Sequence, residues 1–230
     1  MNRLELQRAW VIHRRPYREG SYLVDLITER DGRITAVWRK PKRGSAGEPF
    51  QQITASWKGR GEVKSLSKVE NSSPPLQLGA HALYAGFYVN ELVYRLLPVA
   101  DEHTNVFAAY EYCINGLASS PHFEPELRRF EYELLLTLGV WPELNYCVDT
   151  QSEVEPTASY WVSVNEGVRK SDRAFNESFT GAELVELQNN LLASDNSRRL
   201  FRLLVNQLLE GRSLKSRELY RDFLLGSETP

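Results

Sequence analysis

At Ser72-Ser73-Pro74-Pro75 the hydrophobic period of the chain changes from two to about 3.6, so one chain has to fold a strand-rich module and a helical one. Before that point, five short stretches rich in aromatic and β-branched residues are each ended by turn chemistry: Leu6 to His13, Ser21 to Thr28, Arg33 to Arg39, Gln51 to Trp57 and Glu62 to Val69. Asp31-Gly32 favours a tight hairpin between the second and third, and Gly59 and Gly61 bracket the turn before the fifth. Five strands in about 65 residues is the size of an OB-fold barrel; an SH3-like barrel has a similar strand count, and periodicity alone does not separate them.

The two modules carry opposite charge. Residues 1–68 hold 15 Lys and Arg against 7 Asp and Glu, about +8, while the rest of the chain is about −10, an asymmetry concealed by the overall −2. A positive field confined to a small barrel suits phosphate binding, because neutralised phosphates release condensed counterions. The cations lie in the connections: Arg14, Arg15 and Arg18 in the first, Arg39, Lys40, Lys42 and Arg43 in the third, and Lys58, Arg60 and Lys64 around the fourth. Tyr17, Trp38, Phe50 and Trp57 sit beside them, and basic grooves with aromatic platforms hold single strands with little regard to sequence. Trp10, Trp38 and Trp57 on short strands also fit barrel core. The residues expected to bind DNA are Arg14, Arg18, Lys40, Lys42, Arg43, Arg60 and Lys64, with Tyr17 and Trp38 as stacking platforms.

Beyond the prolines, Gln77 to Leu97 is apolar nearly all round and predicts a central helix, in which Asn90-Glu91 fits a structural hydrogen bond or ion pair better than a site. Glu102 to Leu117 and Pro125 to Leu138 predict two more helices, the latter closed by Gly139 and Pro142. Residues 140–176 lose the helical period, with a short strand at Tyr160 to Val164. Thr180-Gly181-Ala182-Glu183 has capping-box spacing, and Ser197 to Leu209 and Ser213 to Leu225 predict final helices, each basic on one side. The expected class is α+β: an OB-fold nucleic-acid-binding domain over 1–73, then a mostly helical domain over 76–230 with an irregular or short β insert around 140–176.

Catalytic and metal patterns are missing. His13, His81, His103 and His122 form no pair at ligand spacing, Cys113 and Cys147 are too few for a structural zinc site, and Lys40-Pro41-Lys42-Arg43-Gly44 lacks the order of a nucleotide-binding loop. No enzyme activity, cofactor or metal is expected. No apolar run is long enough for a secretory or membrane segment, which predicts a cytoplasmic protein.

Four segments carry a resemblance. Gly59-Arg60-Gly61-Glu62-Val63-Lys64, Tyr88-Val89-Asn90-Glu91-Leu92, Leu127-Arg128-Arg129-Phe130-Glu131 and Leu214-Lys215-Ser216-Arg217-Glu218-Leu219 occur in the order found in the bacterial recombination mediator family RecO, which the chain resembles over nearly its whole length. The resemblance implies a DNA repair protein that binds single- and double-stranded DNA, anneals complementary strands and, with RecR, helps load RecA onto strands coated with single-stranded DNA-binding protein; during repair it would associate with the nucleoid. Many members carry a four-cysteine zinc motif after the third helix, where this chain has Cys147 alone. The resemblance also implies docking of the acidic, phenylalanine-ended tail of the single-stranded DNA-binding protein. Arg128 and Arg129 with Leu127, Tyr132 and Leu138 offer the guanidinium and apolar side that such a tail needs, although Arg128 also fits a pair with Glu91 or Glu131. The competing readings are an OB-type RNA-binding module and a protein adaptor without annealing activity.

Overall fold

The computed structural model describes residues 6–40, 47–71, 73–171, 177–192 and 194–227. Strands β1 (Gln7–Pro16), β2 (Ser21–Thr28), β3 (Gly32–Arg39), β4 (Gln52–Lys58) and β5 (Val63–Asn71) close a barrel in the order β1-β2-β3-β5-β4, the OB-like arrangement. Its ladders are antiparallel except β3 with β5, where Thr35 pairs Val63 and Val37 pairs Ser65. Alternation along each strand turns Ala9, Val11, Val24, Leu26, Ile34, Ala36, Trp38, Ile53 and Ala55 into the barrel. The β2–β3 hairpin closes at Gly32, whose φ is +61° and whose backbone approaches Asp101 so closely that a Cβ would lie 1.7 Å from the Asp101 carbonyl oxygen.

Trp10 and Ile12 occupy the other face of β1, yet both are buried. They are covered by α1 (Ala80–Leu96) and α2 (Thr104–Ser119): the Trp10 ring meets Tyr110 edge-on at 6.1 Å, and Asn90 Nδ2 donates to Ile12 O at 2.9 Å while its Oδ1 accepts from the Tyr110 hydroxyl at 2.8 Å. Trp10 is therefore helix-facing rather than barrel core, whereas Trp38 lies in the core and Trp57 packs against it. Asn90 joins strand to helices, and Glu91 receives the start of α6 (Lys215–Ser227) through the N–H groups of Lys215 and Ser216.

The compact units do not follow the boundary between strands and helices. One unit contains the barrel, α1, α2 and α6; the other, Glu124–Ser213, contains α3 (Glu124–Thr137), a second sheet, α4 (Gly181–Asn190) and α5 (Ser197–Leu208). The expected short strand and turn appear as part of a second, five-stranded sheet. Its strands β6 (Tyr146–Cys147), β7 (Ser152–Glu153), β8 (Ser159–Ser163), β9 (Gly167–Lys170) and β10 (Phe179–Thr180) run in the order β10-β8-β9-β6-β7. Strands this short give no sequence period, so most of the sheet is not legible in the sequence. Cys147, Tyr160, Val162, Val168 and Phe179 pack against Leu184, Leu187, Leu200, Phe201 and Leu204 in one apolar core. The capping box of α4 forms as its spacing predicts, Thr180 accepting from Glu183 N and Glu183 from Thr180 N.

Candidate nucleic-acid interface

Barrel topology decides which cations meet. Pro16 pairs Tyr22 and Ser21 pairs Arg39, and Lys40 N donates to Gly20 O at 2.8 Å, so the first connection and the end of β3 share one mouth. There the Arg14 guanidinium and the Lys40 ammonium both approach the Tyr22 ring, at 4.7 and 4.8 Å from its centroid. Arg18 lies 5.2 Å from the ring of Tyr17, which is 47% exposed. Arg14 also forms an ion pair with Glu48 at 2.6 Å. Arg14, Tyr17, Arg18 and Lys40 thus stand together, two cations seated on a tyrosine that keeps them extended. Lys42 and Arg43 lie outside the described residues.

Arg60 and Lys64 belong to the opposite end. Because β4 runs antiparallel to β1, its connection to β5 emerges beside the β2–β3 turn, where Trp57 Nε1 donates to Asp31 Oδ2 at 2.9 Å. Arg60 is exposed there, and Lys64 Nζ donates to Gly59 O at 3.3 Å. The loop cations therefore form two groups at the two ends of the barrel. Trp38 is 6% exposed, its ring against Gly47, and its burial removes it from the surface on which a base could stack.

A group that loop clustering does not reveal lies on the outer face of β1, β2 and β3. The Asp25 carboxylate, 1% exposed, accepts from Thr35 Oγ1 at 2.5 Å and from Arg15 at 3.1 Å, with His13 Nδ1 at 3.3 Å. Burial alone would raise its pKa, but the bonds from His13 and Thr35 and the charge of Arg15 outweigh it and hold the carboxyl below its ordinary value. The only sequence signal is the period-two alternation that places His13, Asp25 and Thr35 on one face.

In the other unit, Arg128 pairs with Glu131 one turn along α3, with side chains 11% and 1% exposed, and stacks 5.7 Å from the Phe201 ring centroid. Arg129 instead borders an open cleft of about 500 Å³ lined also by Tyr132, Trp141, Leu187, Leu191 and Leu192. Tyr132 and Trp141 meet edge-on at 4.8 Å, giving the cleft an aromatic wall. Leu127 is buried and Leu138 half-buried; neither lines it. The leucines of α4 and the turn after it, far from α3 in sequence, supply the apolar side.

Among the described residues no three His, Cys, Asp or Glu side chains are grouped to hold a metal ion. Burial would raise the Cys147 thiol pKa, yet hydrogen bonds from Thr150 and from the Asp149 backbone bring it below its ordinary value. No helix of the described residues is long and apolar enough to cross a membrane.

Comparison with known proteins covers almost the whole chain. The family description "Recombination protein O N terminal" matches residues 1–74, and "Recombination protein O C terminal" matches residues 79–218. Among curated proteins the chain is similar to the DNA repair protein RecO of Hahella chejuensis, 37% identical over 235 residues that cover 97% of this chain and 98% of that protein. It is similar also to the DNA repair protein RecO of Pasteurella multocida, 36% identical with 95% of each chain covered, and to that of Haemophilus influenzae, 36% identical with 96% of this chain and 98% of that protein covered.

Proposed function

The chain belongs to the RecO family of DNA repair proteins, and we propose that within repair and recombination it anneals complementary single strands and, with RecR, helps load RecA onto strands coated with single-stranded DNA-binding protein. It acts without a catalytic residue or cofactor, in the cytoplasm and at the nucleoid during repair. The observation that carries this reading is the gathering of Arg14, Arg18 and Lys40 at one barrel mouth beside the exposed Tyr17. Guanidinium and ammonium groups there bind phosphate oxygens and screen the repulsion between two strands; base pairing then supplies the specificity, so the protein has no need to read sequence. Arg60 and Lys64 extend the field to the other end of the barrel, and Lys42 and Arg43 add to the positive charge of the module. Double-stranded DNA binds through the same phosphate contacts.

The cleft bordered by Arg129, Tyr132 and Trp141 is the place we assign to the tail of the single-stranded DNA-binding protein, the guanidinium meeting carboxylates and the terminal phenylalanine entering against Trp141 and the leucines opposite. Annealing of complementary oligonucleotides, bare and precoated with that protein, tests the whole reading. The expected result is salt-sensitive annealing that slows when Arg14, Arg18 and Lys40 are replaced together by Ala, with the log-log salt slope of binding reduced by about one for each phosphate that is no longer neutralised. Binding of hairpin RNA without annealing of DNA would favour the RNA-binding alternative, and absence of salt-dependent binding would favour the adaptor.

A further inference from the structure

The outer face of β1, β2 and β3 continues past Asp25 onto α1. Arg15 Nη1 lies 3.5 Å from His13 Nδ1, the His13 ring lies 5.9 Å from that of Tyr94, and the Arg33 guanidinium lies 5.3 Å from the Tyr94 centroid. Arg15, His13, Tyr94 and Arg33 thus form a row in which two arginines flank two rings, drawn from two strands and a helix of the same compact unit. Its members reach solvent: the Arg15 and His13 side chains are 40% and 52% exposed, and Tyr94 is 41% exposed. Arg33 is held by its Nε bond to Leu97 O at 3.0 Å, and among the described residues its terminal amino groups make no hydrogen bond.

The floor of this row is the buried Asp25 carboxylate. Beside Thr35, two side chains of the row converge on it and are held against the sheet. Fixed cations at intervals suit successive phosphates, and an exposed ring between them suits an unpaired base, whose π-face is inaccessible inside a duplex. We infer that Arg15, His13, Tyr94 and Arg33 form a contact surface for single-stranded DNA on the barrel's outer face, separate from the mouth, with Asp25 as its positioning residue. This deepens the proposed function and rests on the chain binding DNA at all.

The test measures affinity for an unstructured oligonucleotide and for a duplex of equal length across a salt series, with circular dichroism to verify folding. Tyr94→Leu should weaken single-strand binding by about fivefold or more and duplex binding less, with an unchanged salt slope because no charge is removed. Arg33→Gln should lower the slope by about one. Asp25→Asn removes a negative charge from a basic face, so the field alone would tighten binding; weaker binding by the folded variant is the expected sign of impaired positioning, and tighter binding overturns that role. Ultraviolet crosslinking of wild-type protein to an oligonucleotide carrying 5-iododeoxyuridine should mark Tyr94. Wild-type affinity in folded Tyr94→Leu and Arg33→Gln, alongside weakened binding by Lys40→Ala, would overturn the row and leave DNA binding at the mouth intact. Failure of the wild type to bind DNA would overturn both.

Discussion

The Glu91 carboxylate on α1 accepts both the backbone N–H and the hydroxyl of Ser216, at 2.8 and 2.7 Å, and so caps α6 from a helix more than a hundred residues earlier in the chain. A further bond comes from Lys215 N at 3.1 Å, and Arg95 balances the charge one turn along α1. These N–H groups open a helix, where they have no intrahelical acceptor and where the helix dipole favours an anion. Two segments that carry the family resemblance, around Asn90-Glu91 and around Lys215-Ser216, are therefore parts of one lock.

Glu91 should support stability only while ionised. Burial raises its pKa, but the Ser216 and Lys215 bonds and Arg95 more than reverse this, so its folded value lies below the ordinary one. Its contribution is then fully present above the unfolded carboxylate pKa of about 4.3 and disappears as pH falls through the folded value. Glu91→Gln should cost about 1–2 kcal/mol in urea unfolding at pH 7, the size of a missing cap. The gap from wild type should narrow as pH falls below the unfolded carboxylate value; a gap of constant size would show that the charge is not what holds α6.

What is legible in the sequence is local. The five barrel strands, the turn at Gly32 and the Thr180 capping box depend on neighbours within a few residues, and they appear within a residue or three of where periodicity places them. Trp10 shows where such reasoning stops: alternation separates it from Ala9 and Val11 but does not say that α1 and α2 will cover its face. The same limit hides Tyr94 beside His13 and the leucines opposite Arg129, since each is brought in by an element distant in sequence. Loop clustering likewise groups Arg60 with Arg14, which barrel closure sets at opposite ends.

The Tyr110 hydroxyl should matter for stability alone. It is buried and donates to Asn90 Oδ1, whose amide in turn holds Ile12 O; burial, with Cys113 nearby, pushes the phenol pKa well up and keeps it a donor. Tyr110→Phe preserves the ring against Trp10 but leaves the Asn90 oxygen without that donor, at a cost of about 1–3 kcal/mol. Chemical denaturation measures this, and unchanged DNA affinity in the folded variant separates it from substitutions at the mouth.

Gly32→Ala should be among the most damaging small substitutions. It demands positive φ of a residue with a Cβ and drives that atom into the Asp101 carbonyl, in the segment where Ala100 N also donates to Arg33 O at 2.8 Å. A destabilisation of about 2 kcal/mol or more is expected, read as a lowered melting temperature. Gly61→Ala, where no atom lies within 4 Å of the added carbon, should change little.

Adjacent arginines on α3 should separate structural from binding roles. Arg128 and Glu131 form a nearly buried pair, so Arg128→Glu would break it and set two carboxylates together, costing about 3–5 kcal/mol of stability. Arg129 stands at the rim of the cleft with Tyr132 and Trp141, where reversing its charge disturbs little of the core. Its effect belongs instead to an acidic ligand: a tail peptide ending in phenylalanine should bind Arg129→Glu about tenfold more weakly, or about 1.4 kcal/mol, and show a weaker salt dependence. Trp141→Ala should weaken the same peptide without changing its salt dependence, because a ring contributes apolar packing rather than charge. Fluorescence anisotropy with a labelled peptide measures both, and circular dichroism confirms folding. If folded Arg129→Glu and Trp141→Ala bind the peptide as wild type does, the tail docks elsewhere on the protein.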